Sequence, residues 1–436
     1  MASNTNKIVR PGLAVIVASA KWLRSPHRFT LAIGSVAPSL ALILFGHVAD
    51  THTFNAVALL LVAGGYLQSF GALGLDQVVM RIPSPSTAQR HGSVSWPTLL
   101  VVSVTVGAVL GGAIWWGVLP HYSGKRWIGA VLGAAYGAGL VASVLKSAVY
   151  RTLGFYSHAA VSLVGWRIVF TVTLVVLVRL GHDDATNGFY AVVLLAVSPL
   201  PFILTRIRPL CFYPGAYSPP QLLHGLMLAA TSGSSLVALS IDRWIAVARF
   251  ELGAASAYLL NAALASGAFG LLQTVISFSL MPRFAQSGHR LRPLFVTESK
   301  ISVALGLAGT FGLILCYRIL GPHIIDHSQY APLLFTLLAL AHSLRAPYAV
   351  ASALIGGTGR AILLRITLGL GLLATLGAAI ITFACAQLGP YGLALGVATA
   401  FVLRLCIWTM LARRALSERS GEVWRSEQSE SDVSGV

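Results

Sequence analysis

The stretch SGSSLVALSIDRWIAVARFELGAASAYLLN, residues 232–261, places a charged pair inside apolar sequence long enough to cross a membrane. The apolar run at positions 236–240 leads into Ile241-Asp242-Arg243-Trp244, and a second apolar run follows. A charged side chain in hydrocarbon costs about 2.5–3.5 kcal/mol on insertion scales, so such residues are expected to face a partner, a wet cavity or an anionic substrate. The stretch is therefore a candidate functional site.

The composition of the whole chain places it among polytopic membrane proteins. The chain has 436 residues, of which 56% are hydrophobic and only 10% charged, and its mean hydropathy is +0.78. The net charge of +17 does not indicate nucleic-acid binding, because most Lys and Arg residues lie between apolar runs, where they orient a protein in the bilayer. The four cysteines have no C-x-x-C spacing, so neither a disulfide framework nor a zinc site is indicated.

Hydropathy in windows of about 19 residues predicts about twelve membrane-spanning helices. The apolar segments lie near residues 29–48, 54–79, 98–119, 127–149, 159–179, 188–206, 223–247, 254–280, 299–320, 329–354, 362–387 and 390–412. An even number of spans puts both termini on one side of the membrane. Basic residues precede the first span and follow the even spans, and such residues are retained in the cytoplasm. Both termini are therefore predicted to be cytoplasmic.

A Pro-rich linker divides the chain into two halves of six spans each. It follows the sixth span and contains the sequence LCFYPGAYSPP within residues 209–222. The predicted organisation is an all-α polytopic membrane protein with a basic cytoplasmic segment at 1–28, an N-terminal six-helix bundle at 29–208, a cytoplasmic linker at 209–222 and a C-terminal six-helix bundle at 223–412. The Ser- and Glu-rich tail at 413–436 is predicted to be cytoplasmic and disordered.

Basic residues inside or beside the predicted spans suggest an anion site. Arg345 lies deepest, about 15 residues beyond Tyr330, or roughly 22 Å along a helix. Arginine binds phosphate oxygens in a bidentate manner, so a cavity lined by several arginines suits a pyrophosphate or an acidic sugar. The candidate substrate-binding residues are Arg81, Lys146, Arg151, Arg167, Arg243 and Arg345.

Structural roles compete with these functional ones. Arg81, Arg151 and Arg404 lie where a long side chain can extend to the lipid headgroups. Asp242 and Arg243 can form a purely structural buried pair. We prefer an arrangement in which Arg243 faces the lumen and Asp242 faces the neighbouring helices, since adjacent helical residues point about 100° apart.

Asp76 is the other acid well inside a predicted span, and it is a candidate for ion coupling or for a bridge to Arg81. No hydrolase elbow, Walker loop or zinc-protease motif occurs, and no cofactor is indicated. His323, Asp326 and His327 have helical spacing that suits a metal, but they fall in a short outer loop, and a solvated loop is the favoured interpretation.

Three motifs lie in order along the chain: Gly-Ala-Leu-Gly-Leu-Asp-Gln-Val-Val-Met-Arg at 71–81, Tyr-Arg at 150–151 followed by Gly154, and Ile-Asp-Arg-Trp at 241–244 followed by Glu251, Gly253 and Tyr258. Together they resemble the motifs of the polysaccharide-transporter family, the lipid-linked oligosaccharide flippases of the multidrug/oligosaccharidyl-lipid/polysaccharide exporter superfamily. With the helix count and the division into halves, the resemblance covers residues 29–412.

The resemblance implies two six-helix bundles around a central cleft, lined by the basic residues named above. A sugar head group would cross there while its polyprenyl tail stays in the bilayer. The relatives that flip the peptidoglycan precursor have fourteen helices, so about twelve favours a surface-polysaccharide repeat unit linked to undecaprenyl pyrophosphate. The implied partners are this lipid-linked oligosaccharide, membrane lipids, a polysaccharide polymerase and other assembly proteins, in a bacterial inner membrane.

Two alternatives remain open. A cation-coupled multidrug exporter of the same superfamily would need an acid in the N-terminal bundle, and Asp76 is the candidate. A membrane glycosyltransferase or polymerase would need catalytic groups in a sizeable outer loop, and no outer connection is long enough for one. The sequence therefore favours a transporter and not an enzyme.

Overall fold

A computed structural model of the chain describes residues 26–47, 49–81, 93–118, 126–179, 184–205, 208–211, 213, 216–287, 291–358 and 361–433. The elements of the first half are α1 (Pro26–Gly46), α2 (Thr51–Gly71), α3 (Leu75–Arg81), β1 (Val94–Ser95), α4 (Trp96–Val118), α5 (Arg126–Thr152), α6 (Tyr156–Arg179), α7 (Asp184–Val197), α8 (Leu200–Leu204) and α9 (Arg208–Cys211).

The second half begins with strand β2 and is otherwise helical. Its elements are β2 (Ala216–Tyr217), α10 (Pro219–Ala238), α11 (Ile241–Arg249), α12 (Leu252–Gln286), α13 (Leu291–Ile324), α14 (Pro332–Ser343), α15 (Arg345–Thr358), α16 (Ala361–Cys385), a 3-10 turn (Ala386–Leu388) and α17 (Gly389–Val433). Local sequence explains the start of α10: two prolines occupy its first turn, and the side chain of Gln221 accepts the Ser218 amide N–H at 2.8 Å.

The described helices give twelve spans when each broken span is counted once, the long stretch Arg365–Glu418 is counted as two and the shorter stretch Gly188–Leu204 as one. Within the described residues, nine helical stretches are long and apolar enough to cross a membrane, or ten if α10 and α11, bent by 43° at their junction, form one span. One of those stretches, Arg365–Glu418, contains both α16 and α17, and the shorter apolar stretch Gly188–Leu204 supplies a further crossing. This confirms the predicted all-α polytopic fold of about twelve spans.

The spans form two bundles that correspond to the two halves of the sequence. In the first bundle the most extensive contacts join α4 to α5 and α1 to α6, and in the second they join α12 to α15 and α16 to α17. Glycines allow α4 and α5 to approach closely: a Cβ at Gly137 would lie 2.0 Å from the carbonyl oxygen of Gly107. The bundles meet where α1 and α2 contact α10 and α12.

At one end of the molecule, side-chain hydrogen bonds hold the bundles together. Ser256 donates its hydroxyl to Asn55 Oδ1 at 2.8 Å, and Asn55 Nδ2 donates to the Leu252 carbonyl at 3.4 Å. His47 Nε2 bonds the Ile324 carbonyl at 2.8 Å. These residues lie near the end of α1, the start of α2, the start of α12 and the end of α13, which all reach the face that is predicted to be periplasmic. The bundles are therefore closed at that face.

The predicted linker and the predicted C-terminal tail both contain structure that the sequence did not reveal. In the linker, β2 pairs antiparallel with β1, with Val94 opposite Tyr217, and the buried Trp96 donates its indole N–H to the Leu210 carbonyl at 2.6 Å. The linker is thus attached to the first bundle. In the C-terminal segment, the backbone of α17 stays helical to Val433, where the sequence predicts a disordered tail from 413. Most of the predicted basic segment at 1–28 lies outside the described residues.

Candidate functional site

A cavity of about 1460 Å³ lies between the two bundles. Its lining includes His27 in the first turn of α1, Tyr156 at the start of α6 and Arg283 in the last turn of α12. In a chain of alternating spans these three positions reach the same face of the membrane. The cavity therefore extends toward the face that is predicted to be cytoplasmic, opposite the closed end.

The lining of the cavity combines arginines with neutral hydrogen-bonding groups. Among the residues that the structure describes, no Asp or Glu belongs to it. The arginines are Arg151, Arg167, Arg243, Arg283 and Arg345. The neutral hydrogen-bonding side chains are Ser35, Tyr66, Gln77, Ser147, Thr152, Tyr156, Ser240, Ser266, Gln273, Thr274 and Ser277. Such a surface attracts anions and can bond sugar hydroxyls.

Helix breaks place two of the arginines in the middle of spans. The turn at Leu239 and Ser240 separates α10 from α11, so Arg243 lies in the first turn of α11. In the tenth span, Pro347 has no amide hydrogen and its ring clashes with the carbonyl four residues earlier, at Ser343, where α14 ends. Arg345 is consequently the first residue of α15. Broken spans of this kind supply substrate sites in transporters.

Arg243 and Arg345 converge on a single residue of α12. One terminal nitrogen of Arg243 donates to the Ser266 hydroxyl and to the Ala262 carbonyl at 3.3 Å. Arg345 donates from Nη1 to the Ser266 carbonyl at 3.2 Å and from Nε to Gln273 Oε1 at 2.9 Å. Both guanidinium groups are therefore fixed by neutral acceptors at the cavity wall.

Asp242 occupies a different environment from its neighbour in sequence. It is buried, with 2% of its surface exposed, and it accepts a hydrogen bond from the Tyr258 hydroxyl at 2.8 Å. It does not line the cavity, whereas Arg243 does. On the cavity side of the same helix break, the Ser240 and Tyr66 hydroxyls are 2.7 Å apart, and Trp244 donates its indole N–H to Tyr66. These bonds connect α11 to α2 across the bundle boundary.

The first bundle contributes Arg151 and Arg167 to the cavity. Arg151 Nη1 contacts the Met80 sulfur at 3.2 Å, and the Arg167 guanidinium lies 5.3 Å from the centre of the Trp166 ring. Asp76 accepts a hydrogen bond from the side chain of Gln77 at 3.0 Å, and it is not part of the cavity lining. The side chain of Arg81 lies outside the described residues, so its predicted place in the cleft stays a prediction.

Lys146 does not line the cavity, contrary to its predicted role in the cleft. The side chain is buried, and its ammonium donates to the carbonyls of Phe202 at 2.5 Å, of Ile203 at 3.4 Å and of Thr205. These carbonyls belong to the C-terminal end of α8, where unpaired backbone acceptors attract a cation. The lysine caps that helix.

Arg404 is buried deep in the second bundle, away from the cavity and from the headgroups. Its guanidinium donates to the hydroxyls of Ser235 and Tyr348, the latter at 3.1 Å, and lies 4.7 Å from the centre of the Trp408 ring. Only 3% of its surface is exposed. Extension of this side chain to the headgroups is therefore excluded.

Sequence reasoning missed Ser266 and Gln273, because isolated neutral residues in an Ala- and Leu-rich span carry no signal of their own. Their spacing of seven residues places them on one face of α12, and this periodicity is the only sequence feature that links them. Both residues line the cavity and bond the arginine pair.

Within the described part of the chain, no group of three or more His, Cys, Asp or Glu side chains is placed to hold a metal ion. Asp326, in the loop between α13 and α14, accepts a hydrogen bond from the Ser328 hydroxyl at 2.8 Å. That bond holds the pKa of the Asp326 carboxyl below its ordinary value.

Comparison with solved structures identifies the architecture. No protein-family model matches the sequence, and no curated protein sequence matches it significantly. The lipid II flippase MurJ in an inward closed conformation is similar to this chain: the match covers 93% of this chain and 91% of MurJ, with a TM-score of 0.60 and 11% identity.

Multidrug transporters show the same likeness. The Vibrio cholerae MATE transporter VcmN in the bent form matches 93% of this chain and 99% of its own, with a TM-score of 0.56 and 14% identity. An inward-facing MATE transporter of the MOP superfamily matches 91% of this chain and 98% of its own, with a TM-score of 0.51 and 15% identity. This multi-pass membrane protein therefore has the fold of the MOP-superfamily transporters.

Proposed function

We propose that the protein is a flippase that moves an undecaprenyl-pyrophosphate-linked oligosaccharide repeat unit from the cytoplasmic to the periplasmic leaflet of a bacterial inner membrane. The observation that carries the proposal is the chemistry of the cavity wall: five arginines and many neutral hydrogen-bonding groups, with no carboxylate among the described lining residues. A pyrophosphate supplies the anion, and an oligosaccharide supplies the hydroxyls.

The arrangement of the bundles suits alternating access. The cavity extends to one face, and hydrogen bonds between Asn55, Ser256 and Leu252 close the other. Transport would separate the bundles at the closed face and bring them together at the open one, while the substrate stays between them. The fold shared with a lipid II flippase supports a lipid-linked substrate.

The same cavity argues against export of cationic drugs. A cationic substrate or a coupling cation is attracted by carboxylates, and neither Asp76 nor Asp242 lines the cavity. Each of these acids accepts a hydrogen bond from a side chain close to it, Gln77 and Tyr258 respectively. The arginines would repel a cationic drug.

Reconstitution tests the proposal directly. Purified protein in liposomes with a fluorescent undecaprenyl-diphosphate oligosaccharide should move the label between leaflets, measured by protection from an impermeant quencher. Arg345→Gln should abolish movement of the label between the leaflets, although the variant enters the liposomes as efficiently as the wild-type protein, because it removes one of the two fixed guanidiniums. Movement no faster than in protein-free liposomes, together with efflux of a cationic dye, would favour the drug exporter.

Under this proposal both termini face the cytoplasm, and a polysaccharide polymerase and other assembly proteins receive the flipped repeat unit. A chromosomal neighbourhood with glycosyltransferase genes and a separate polymerase gene would agree with the flippase. If this gene is required for polymerisation of a repeat unit that is already in the periplasmic leaflet, the protein is instead the polymerase.

A further inference from the structure

We propose that His342 is a proton-binding site, and that its protonation favours the arrangement in which the bundles are open at the closed face. The inference rests on the alternating access of the proposed function and does not depend on its substrate. The observation that carries it is a buried imidazole without a hydrogen-bond partner, at the junction of the two broken spans.

The His342 ring is isolated from polar groups. Of the histidines that the structure describes, it alone is buried, with 1% of its surface exposed. Neither Nδ1 nor Nε2 has a hydrogen-bond partner among the described atoms. The ring meets that of Phe401 in α17 edge-on, with the ring centres 5.1 Å apart. Buried polar side chains are nearly always hydrogen-bonded, so the role of this imidazole belongs to another arrangement of the helices.

The position of His342 connects it to both helix breaks. It lies in the last turn of α14, three residues before Arg345 at the start of α15. Phe401, which contacts the ring, belongs to a small apolar cluster with Leu239 at the break between α10 and α11. Leu239 also lines the cavity. A movement at either break can therefore admit water to the imidazole.

A proton on His342 is opposed in the present arrangement, first by burial among apolar side chains and then by two like charges. The charges of Arg345 and Arg243 both act on the ring. Asp242 is turned away and bonds Tyr258. The charged and titratable residues on the helices around the ring are Asp242 and Arg243 of α11, Tyr258 of α12, Tyr317 of α13, Arg345 and Tyr348 of α15, and Arg404 of α17. The imidazole is therefore neutral while the closed face is shut.

Separation of the bundles at the closed face would change this environment. Periplasmic water would reach the breaks, and an imidazole nitrogen would take a proton from it. Closure would return the ring to its apolar surroundings and expel the proton to the water of the cavity, which extends to the other face. Because only the open arrangement accepts the proton, an acidic medium should favour that arrangement.

Distance measurements on the purified full-length protein in nanodiscs test the inference without any substrate. Spin labels at Thr51 in α2 and Leu252 in α12, in a protein without the native cysteines, report the separation of the bundles at the closed face. An imidazole in water has a pKa of about 6.5, so a change from about pH 8 to about pH 5.5 should raise the ratio of open to closed molecules about tenfold.

Two variants isolate the contribution of His342. His342→Leu suits the apolar cluster and cannot titrate, and His342→Gln keeps a polar side chain that also cannot titrate. In both, the ratio should stay within about twofold over this pH range. His224→Leu is the matched control, because it removes a half-buried histidine of α10 that lies outside the cavity lining. The control should keep the wild-type response.

The outcomes separate this site from other titratable groups and from the proposed function. A wild-type ratio that does not change with pH overturns the inference, as does a response that persists in either folded His342 variant. His47 bonds the Ile324 carbonyl at the closed face, and loss of the response only in His47→Gln would overturn the inference in favour of that histidine. Absence of oligosaccharide movement in liposomes would instead overturn the proposed substrate and leave the proton site standing.

Discussion

Asn55→Leu is expected to open the closed end of the molecule. Asn55 is buried in α2, and its side chain makes two hydrogen bonds to α12 of the other bundle, one with the Ser256 hydroxyl and one with the Leu252 carbonyl. Leucine is similar in size but can make neither bond. Each bond contributes about 1 kcal/mol, so their loss disfavours the closed arrangement by about 2 kcal/mol. At 1.4 kcal/mol per factor of ten, this shifts the ratio of open to closed molecules about 30-fold.

Distance measurements between the bundles can detect such a shift. Spin labels at Thr51 and Leu252, both exposed at this end, would report the separation of α2 and α12 in a background without the native cysteines. Asn55→Leu should enlarge the population with the longer distance. Thr310→Val, which removes a hydroxyl bonded within its own helix, is the control. A distance distribution unchanged within about twofold in a folded Asn55→Leu protein would refute the role of these bonds in closing the bundles.

Four further outcomes are expected. Lys146→Met should lower the free energy of unfolding by about 2–4 kcal/mol, because it leaves carbonyls at the end of α8 without their cation. Normal stability combined with lost transport would instead show that Lys146 acts on the substrate. Arg345→Gln should abolish transport without lowering protein abundance. Transport at the wild-type rate would show that Arg345 is not part of the substrate site. Asp242→Asn should mainly reduce abundance while Arg243→Lys impairs transport, and the reverse pattern would favour proton coupling through Asp242. A reporter fused after residue 420 should be cytoplasmic, and a periplasmic signal would reject the proposed topology.

The sequence by itself determined the membrane fold and the residues that needed an explanation. Apolar length is a local property, because each span needs about 20 apolar residues in succession whatever the rest of the chain does. The twelve crossings follow from that property, whereas the division after the sixth span is indicated by the Pro-rich composition of residues 209–222. The free-energy cost of placing a charged side chain in hydrocarbon is also a local property, so the sequence alone identified Arg243 and Arg345 as residues that need a partner or a ligand.

Only the tertiary structure decided what each buried charge contacts. Arg345 meets the carbonyl of Ser266 across 79 positions of sequence, and Arg243 meets its hydroxyl across 23. Lys146, which is also buried in its span, instead contacts carbonyls 56 to 59 residues away. A hydropathy pattern records that a charge is buried and contains nothing about its partner. The partner is set by where spans break and how bundles pack, so the sequence could not separate the lysine that caps a helix from the arginines that line the cavity.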